Sequence, residues 1–236
     1  MPALPKETLD SVDECDFDGT MPSPAETVRA FSLPQGDPRL WLSERLQPLT
    51  AASPTAAAGD GDLNRDWRPA TVFRDAAVLI PIVERSAGLT VLLTLRSSHL
   101  SSHAGQIAFP GGRIEPDDDS IVSAALRETE EETGIAPAFV TPVGRLGPYE
   151  TGSAFRIHPV VGVVHEGFSV IANPAEVDDI FEVPLDFLLN AANRQVRSGT
   201  WQGQIRQFYA IPYGDYNIWG ATAGILVSLG DRLAAP

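Results

Sequence analysis

The chain has 236 residues, 43% of them hydrophobic, enough for one large domain with a sizeable core. Its 17 Lys and Arg stand against 31 Asp and Glu, and a formal charge of −14 argues against non-specific binding to nucleic acid or to an anionic membrane. No run of about 18 uncharged apolar residues could span a bilayer. The acidic start has no apolar leader segment, and the lone Cys15 rules out an internal disulfide framework or a cysteine-rich zinc site, so a cytoplasmic location is expected.

Residues 1–69 read as an N-terminal extension. Asp37 suits an N-cap and Pro38 the first helical position, so a short helix is expected up to Leu46, stopped by Pro48. The tract TAASPTAAAGDGD, residues 50–62, has no apolar period and reads as a flexible linker. Residues 70–236 read as one domain. Ala76–Val83 and Leu89–Leu95 are apolar, β-rich runs joined by a turn at Ser86–Gly88. Ile157–Val164 is a third strand, which Pro159 marks as an edge or interrupted one. Val177–Val183 and Gln204–Ile211 are two more.

A helix is expected from about Ser120 to Thr133, capped by Asp119 or Ser120 and closed by Gly134. A short one starts at Pro184, and another runs over Ile218–Leu229. Strands with few, separated helices indicate an α+β or α/β sandwich, with a mixed sheet covered by helices.

The acidic helix carries the chemistry. Residues 113–132 hold eight acids and two arginines. Glu128, Glu131 and Glu132 fall on one helical face. Two carboxylates about 5 Å apart at an effective dielectric near 20 repel by roughly 3 kcal/mol. If the fold holds them convergent, a hard divalent cation is the natural compensation, because Mg²⁺ and Mn²⁺ take carboxylate oxygens. Gly111 and Gly112, lacking side chains, let backbone approach a metal or phosphate. The alternative is a solvated acidic face.

The segment Arg127-Glu-Thr-Glu-Glu-Glu-Thr-Gly-Ile135 resembles the core of the Nudix box, R-E-U-x-E-E-x-G-U, with Thr129 in a usually aliphatic place. Counting back from Arg127 leaves Asp118 or Asp119 as its acidic partner. Leu92–Gly112, ending in Phe-Pro-Gly-Gly, is similar to the signature of the coenzyme A pyrophosphatase branch, with His103–Gln106 matching and Ser101 in an arginine position. Ile218–Leu226 resembles that branch's closing helix.

The resemblance implies the Nudix fold and Mg²⁺- or Mn²⁺-dependent cleavage of coenzyme A or acyl-CoA to 3′,5′-ADP and (acyl-)4′-phosphopantetheine. It implies Glu128, Glu131 and Glu132 as metal ligands with the Gly112 backbone. Glu131, Glu132 and Arg127 become the catalytic set. Arg96, Arg113 and His103 are the residues expected to touch substrate. Glu176 and Glu150 are loop acids able to serve as the base, while His99, His158 and His165 show no metal spacing. Phe208, Tyr209, Tyr213 and Trp219 are expected in the core or a pocket wall. Two other readings stay open: hydrolysis of another nucleoside diphosphate such as ADP-ribose, and a non-catalytic nucleotide-binding module. The expected partner is a small-molecule substrate, with a homodimer as the one further assembly considered, and neither nucleic acid nor membrane.

Overall fold

The computed structural model describes residues 36–51, 57–64, 66, 70, 72–100, 102–201 and 203–234. Cys15, the 52–56 part of the expected linker and Ser101 lie outside the described residues. The first element is α1 (Pro38–Arg45). Asp37 caps it by accepting the Arg39 N–H at 2.9 Å, and the helix ends at Leu46, as the sequence predicts.

Among the described residues the main sheet has nine strands. They are β1 (Ala58–Gly59), β2 (Arg74–Arg85), β3 (Gly88–Arg96), β4 (Ile107–Ala108), β5 (Gly111–Arg113), β6 (Val140–Arg145), β7 (Tyr149–Glu150), β8 (Phe155–Val164) and β9 (Val177–Pro184). The central path runs β1-β7-β8-β2-β3-β4, with β5 on β2, β6 on β8 and β9 on β3. The β2–β8 pair is parallel and β2–β3 antiparallel, so the sheet is mixed. A second, three-stranded sheet follows: β10 (Gln195–Trp201), β11 (Gln204–Tyr213) and β12 (Tyr216–Trp219). The remaining helices are α2 (Ile121–Thr133), α3 (Leu185–Leu189) and α4 (Gly220–Ala234).

Side-chain alternation divides the core into two layers. Ile80, Ile82, Val91, Leu93, Val161 and Val163 face α3, α4 and the small sheet. Leu79, Val83, Leu92, Val160 and Val164 face α2 through Ala124 and Ala125. The sheet is therefore covered by helix on both sides, as expected for the α+β sandwich. Among the described residues no helix is long and apolar enough to cross a membrane.

Three expectations need correction. Pro159 does not mark β8 as an edge: β8 lies inside the sheet, between β2 on one side and β6 and β7 on the other. The proline sits where the ladder passes from β7, at residues 156–157, to β6, at residues 160–164, so its missing N–H costs no bond. The second half of the 50–62 tract is structured: Ala58–Gly59 pair with Tyr149–Glu150, and Asp60–Asp62 form a 3₁₀ turn. Finally, Ile218 is not helical. It belongs to β12, and α4 starts at Gly220, whose φ of 65° makes the strand-to-helix bend.

Candidate active site

α2 is placed by its caps. Ser120 Oγ accepts the Ser123 N–H at 3.1 Å, and Ser123 Oγ accepts the Ser120 N–H at 2.8 Å. Gly134, at φ 73°, closes the helix in the left-handed conformation. Thr129 is fully packed in the aliphatic position because its hydroxyl donates to the Ala125 carbonyl at 2.6 Å, leaving no unsatisfied polar group.

Arg127 organises the site. Its Nε and Nη2 donate to the two oxygens of Asp118, each at 3.0 Å. Its Nη1 donates to Glu128 at 2.9 Å and Glu131 at 3.1 Å, and Nη2 also reaches the Arg113 carbonyl at 3.1 Å. One guanidinium thus ties β5, the loop before α2 and two of the three glutamates together. The acidic partner is Asp118, which also accepts the Glu115 N–H at 2.8 Å. Arg127 holds the Asp118 carboxyl below the usual carboxylate range, with the Glu115 N–H assisting.

The three glutamates have different environments. Glu132 is buried, 2% exposed; it accepts the Gly111 N–H at 3.2 Å and lies 3.6 Å from Arg96 Nη1. Burial pushes its carboxyl up to about 7; the Gly111 N–H and Arg96 oppose that rise, and the charges of Glu128 and Glu176 add to it. Burial also raises Glu128, against the pull of Arg127. The Glu128 carboxylate lies over Gly112, and any Cβ there would overlap it. Glu131 is the exposed member, its side chain 54% accessible.

Glu176 joins this group. Its carbonyl accepts the Ser97 N–H at 2.8 Å, its N–H donates to Asn173, and the Asn173 N–H donates to the Glu132 carbonyl at 3.0 Å. The loop before β9 is thereby strapped to the end of α2. Its carboxylate is close enough to raise both Glu128 and Glu132. Glu150 is elsewhere, paired with Arg156 at 2.8 Å.

Arg96 ends β3 beside Glu132, and its buried Nε has no hydrogen-bond partner among the described residues. Arg113 is exposed on β5, next to Gly112. His103 lies on the exposed loop after β3, at φ 57°, bonded through Nδ1 to Gln106 Oε1 at 2.9 Å. His158 pairs with Asp75 and His165 with Thr141, at 2.9 and 2.6 Å. Tyr209 and Tyr213 pack against the core, as expected.

Among the described residues no group of three or more His, Cys, Asp or Glu is arranged as a metal cage while Arg127 spans Glu128 and Glu131. The donor set nonetheless suits a hard cation. Two half-buried to buried carboxyls and a third nearby acid repel one another, and a glycine backbone lies against one of them.

The NUDIX domain model matches residues 73–201. An uncharacterized Nudix hydrolase, NudL, of Photorhabdus laumondii is 42% identical over 160 residues, covering 68% of this chain and 85% of that protein. The NudL of Yersinia pestis (strain Pestoides F) is 40% identical over 161 residues, covering 68% and 80%. The crystal structure of a C. elegans Ap4A hydrolase binary complex matches with a TM-score of 0.41 at 21% identity, over 48% of this chain and 81% of that one. A hydrolase of the Nudix family is what the acidic helix, its arginine clamp and the matched domain together make of this chain, and it belongs to that family.

Proposed function

We propose that the enzyme hydrolyses the pyrophosphate bond of coenzyme A and its thioesters, giving 3′,5′-ADP and (acyl-)4′-phosphopantetheine. The observation that carries this reading is Arg96. It lies within the Leu92–Gly112 segment that resembles the coenzyme A branch, at the end of β3, and it stands beside Glu132 with an Nε that has no partner among the described residues. A guanidinium at the end of the acidic face is suited to a substrate phosphate.

Glu128, Glu131 and Glu132, with the Gly112 backbone, would hold Mg²⁺ or Mn²⁺. When bound, the cation supplies charge neutralisation at the bridging phosphate oxygens and a more acidic water. The chain's own residues do the rest. Arg127 is a positioning residue that fixes Glu128 and Glu131 through Asp118. In this reading Arg96 and Arg113 bind phosphate. Glu176, on its strapped loop, is the acid best placed to accept a proton from water. His103 is set to contact substrate from the loop that Gln106 steadies.

The test is incubation with coenzyme A and either metal, with products read by mass. Release of 3′,5′-ADP and 4′-phosphopantetheine is expected. Cleavage of ADP-ribose to AMP and ribose 5-phosphate, with coenzyme A left intact, would overturn the substrate assignment.

A further inference from the structure

Between Asp186 and Asp215 the chain has no acidic residue and three arginines, in a protein of net charge −14. This stretch builds β10 and β11. Arg194 is paired with Asp231 at 3.0 Å. Among the described residues Arg197 and Arg206 have no carboxylate partner. Arg197 donates to the side-chain oxygens of Gln195 and Asn217, and Arg206 to that of Gln204. Neutral amides orient a guanidinium without cancelling its charge. Among the described residues the buried Nε of Arg206 has no hydrogen-bond partner.

The strand register brings these groups to one face. Arg197 pairs with Phe208, Gly199 with Arg206, Trp201 with Gln204, and Ala210 with Trp219. By alternation Arg197, Trp201, Arg206, Phe208 and Trp219 lie together, while Tyr209, Ile211 and Ile218 turn into the core. Gly199 leaves a gap in the face, and the Phe208 ring lies against it. The Phe208 and Trp219 rings are 5.3 Å apart at 56°, and Trp201 is 43% exposed. The acid beside Trp201 is Asp60. Its carboxylate is taken by the Gly152 N–H at 2.7 Å and the Tyr149 hydroxyl at 3.0 Å. The small sheet packs on the layer of the main sheet opposite α2.

We propose that this face is a nucleotide site separate from the acidic helix. It takes an aromatic base on the Phe208 and Trp219 rings and the phosphate on Arg197 and Arg206. Base–aromatic stacking tolerates any base, and the guanidinium fork matches phosphate oxygens. A bare anion would use the arginines and leave the rings idle.

The test titrates the full chain in EDTA with AMP, adenosine or inorganic phosphate. Tryptophan fluorescence and the Arg Nε–H and Trp Nε1–H NMR signals are followed. AMP is expected to bind at least about tenfold more tightly than adenosine or phosphate, and to shift the Arg206 and Trp219 signals. Arg197→Gln/Arg206→Gln should weaken AMP at least about tenfold, the scale of a charge-assisted contact, and leave metal-dependent hydrolysis unchanged. If the double variant loses its fold by circular dichroism, Arg206→Gln alone carries the comparison. Glu131→Gln/Glu132→Gln should leave AMP binding intact. Unchanged AMP affinity in the arginine variant, loss of binding in the glutamate variant, or phosphate binding as tightly as AMP would each overturn the site.

Discussion

Arg127 and Asp118 meet through two parallel hydrogen bonds of 3.0 Å, and the same guanidinium continues to Glu128 and Glu131. The orientation of both glutamates therefore depends on an acid nine positions upstream. Asp118→Asn presents one oxygen and one amide nitrogen to the fork, so one of the two bonds is lost. Hydrolysis should fall about 10- to 100-fold, the usual range for a residue that orients metal-holding groups. Asp119→Asn should stay near wild type, since the clamp uses its neighbour. Steady-state kinetics on both variants checks this; equal losses would remove Asp118 from its assigned place.

Gly111 and Gly112 separate fold from function. A Cβ at Gly111, whose φ is 156°, would run into the backbone of Ala77 and Val78 on β2. Gly111→Ala should destabilise the protein by about 1–3 kcal/mol or more, a cost typical of overpacking and backbone strain. At Gly112 the obstacle is the end of the Glu128 side chain, which can swing away. Gly112→Ala should thus keep most of its melting temperature and lose at least about tenfold in turnover. Melting curves and kcat on the two alanine variants discriminate them.

The repulsion among the acids predicts a metal response. Mg²⁺ or Mn²⁺ should raise the melting temperature of the wild type, since a ligand that binds only the folded chain stabilises it. Glu128→Gln/Glu131→Gln/Glu132→Gln should remove the rise. The same upward shift in the triple variant would make the acidic face a solvated surface.

Glu182 gives a pH dependence away from the site. Arg85 donates to it at 3.0 Å, and Thr90 at 2.6 Å, which hold its carboxyl below the usual value of 4.5 against a smaller effect of burial. A depressed carboxylate stabilises the fold above the unfolded-state value, and that share is lost as pH falls through the folded-state value. The Arg85 side chain is 42% exposed, so the pair is screened and contributes about 0.5–1 kcal/mol. Glu182→Gln should melt about 1–4 °C lower at pH 7. The gap should narrow as pH falls through the folded-state value, which lies below 4.5. A gap that keeps its full size at every acidic pH where the protein stays folded would assign the effect to packing rather than charge.

Local signals carried far in this chain. Ser120, Gly134 and the period of α2 were readable because caps and helical spacing are written in neighbouring residues. The glutamate face was readable for the same reason. Choosing between Asp118 and Asp119 was not, because the loop between β5 and α2 decides which carboxylate reaches Arg127. Glu176 shows the same limit. It is an ordinary loop acid in sequence, and the hydrogen bonds from Ser97 and Asn173 bring it to α2. Pro159 read as an edge signal because the change of neighbour from β7 to β6 is a long-range event.

The extension before residue 70 is also a tertiary feature, and it yields the last prediction. Leu42 is 0% exposed and Leu46 4%, both inside the layer that contains Leu229 and Leu233 of α4. Gln47 exchanges two backbone hydrogen bonds with Arg145, each of 3.0 Å, at the end of β6. Asp60 binds Tyr149 and Gly152, and Asn64 brackets the backbone of Gln207 on the open edge of β11 at 3.0 and 2.9 Å. Burying two leucines contributes roughly 3–6 kcal/mol. Loss of the Asp60 partner leaves the buried Tyr149 hydroxyl unsatisfied, about 1–3 kcal/mol more. At about 2–4 °C per kcal/mol for a chain of this size, a protein starting at residue 70 should melt about 10 °C or more below the full chain. A protein starting at residue 36 keeps every one of these contacts and should melt well above the one that starts at residue 70. Calorimetry on the two truncations decides the matter, and equal melting temperatures would mean that residues 36–69 add nothing to the stability of the core they cover.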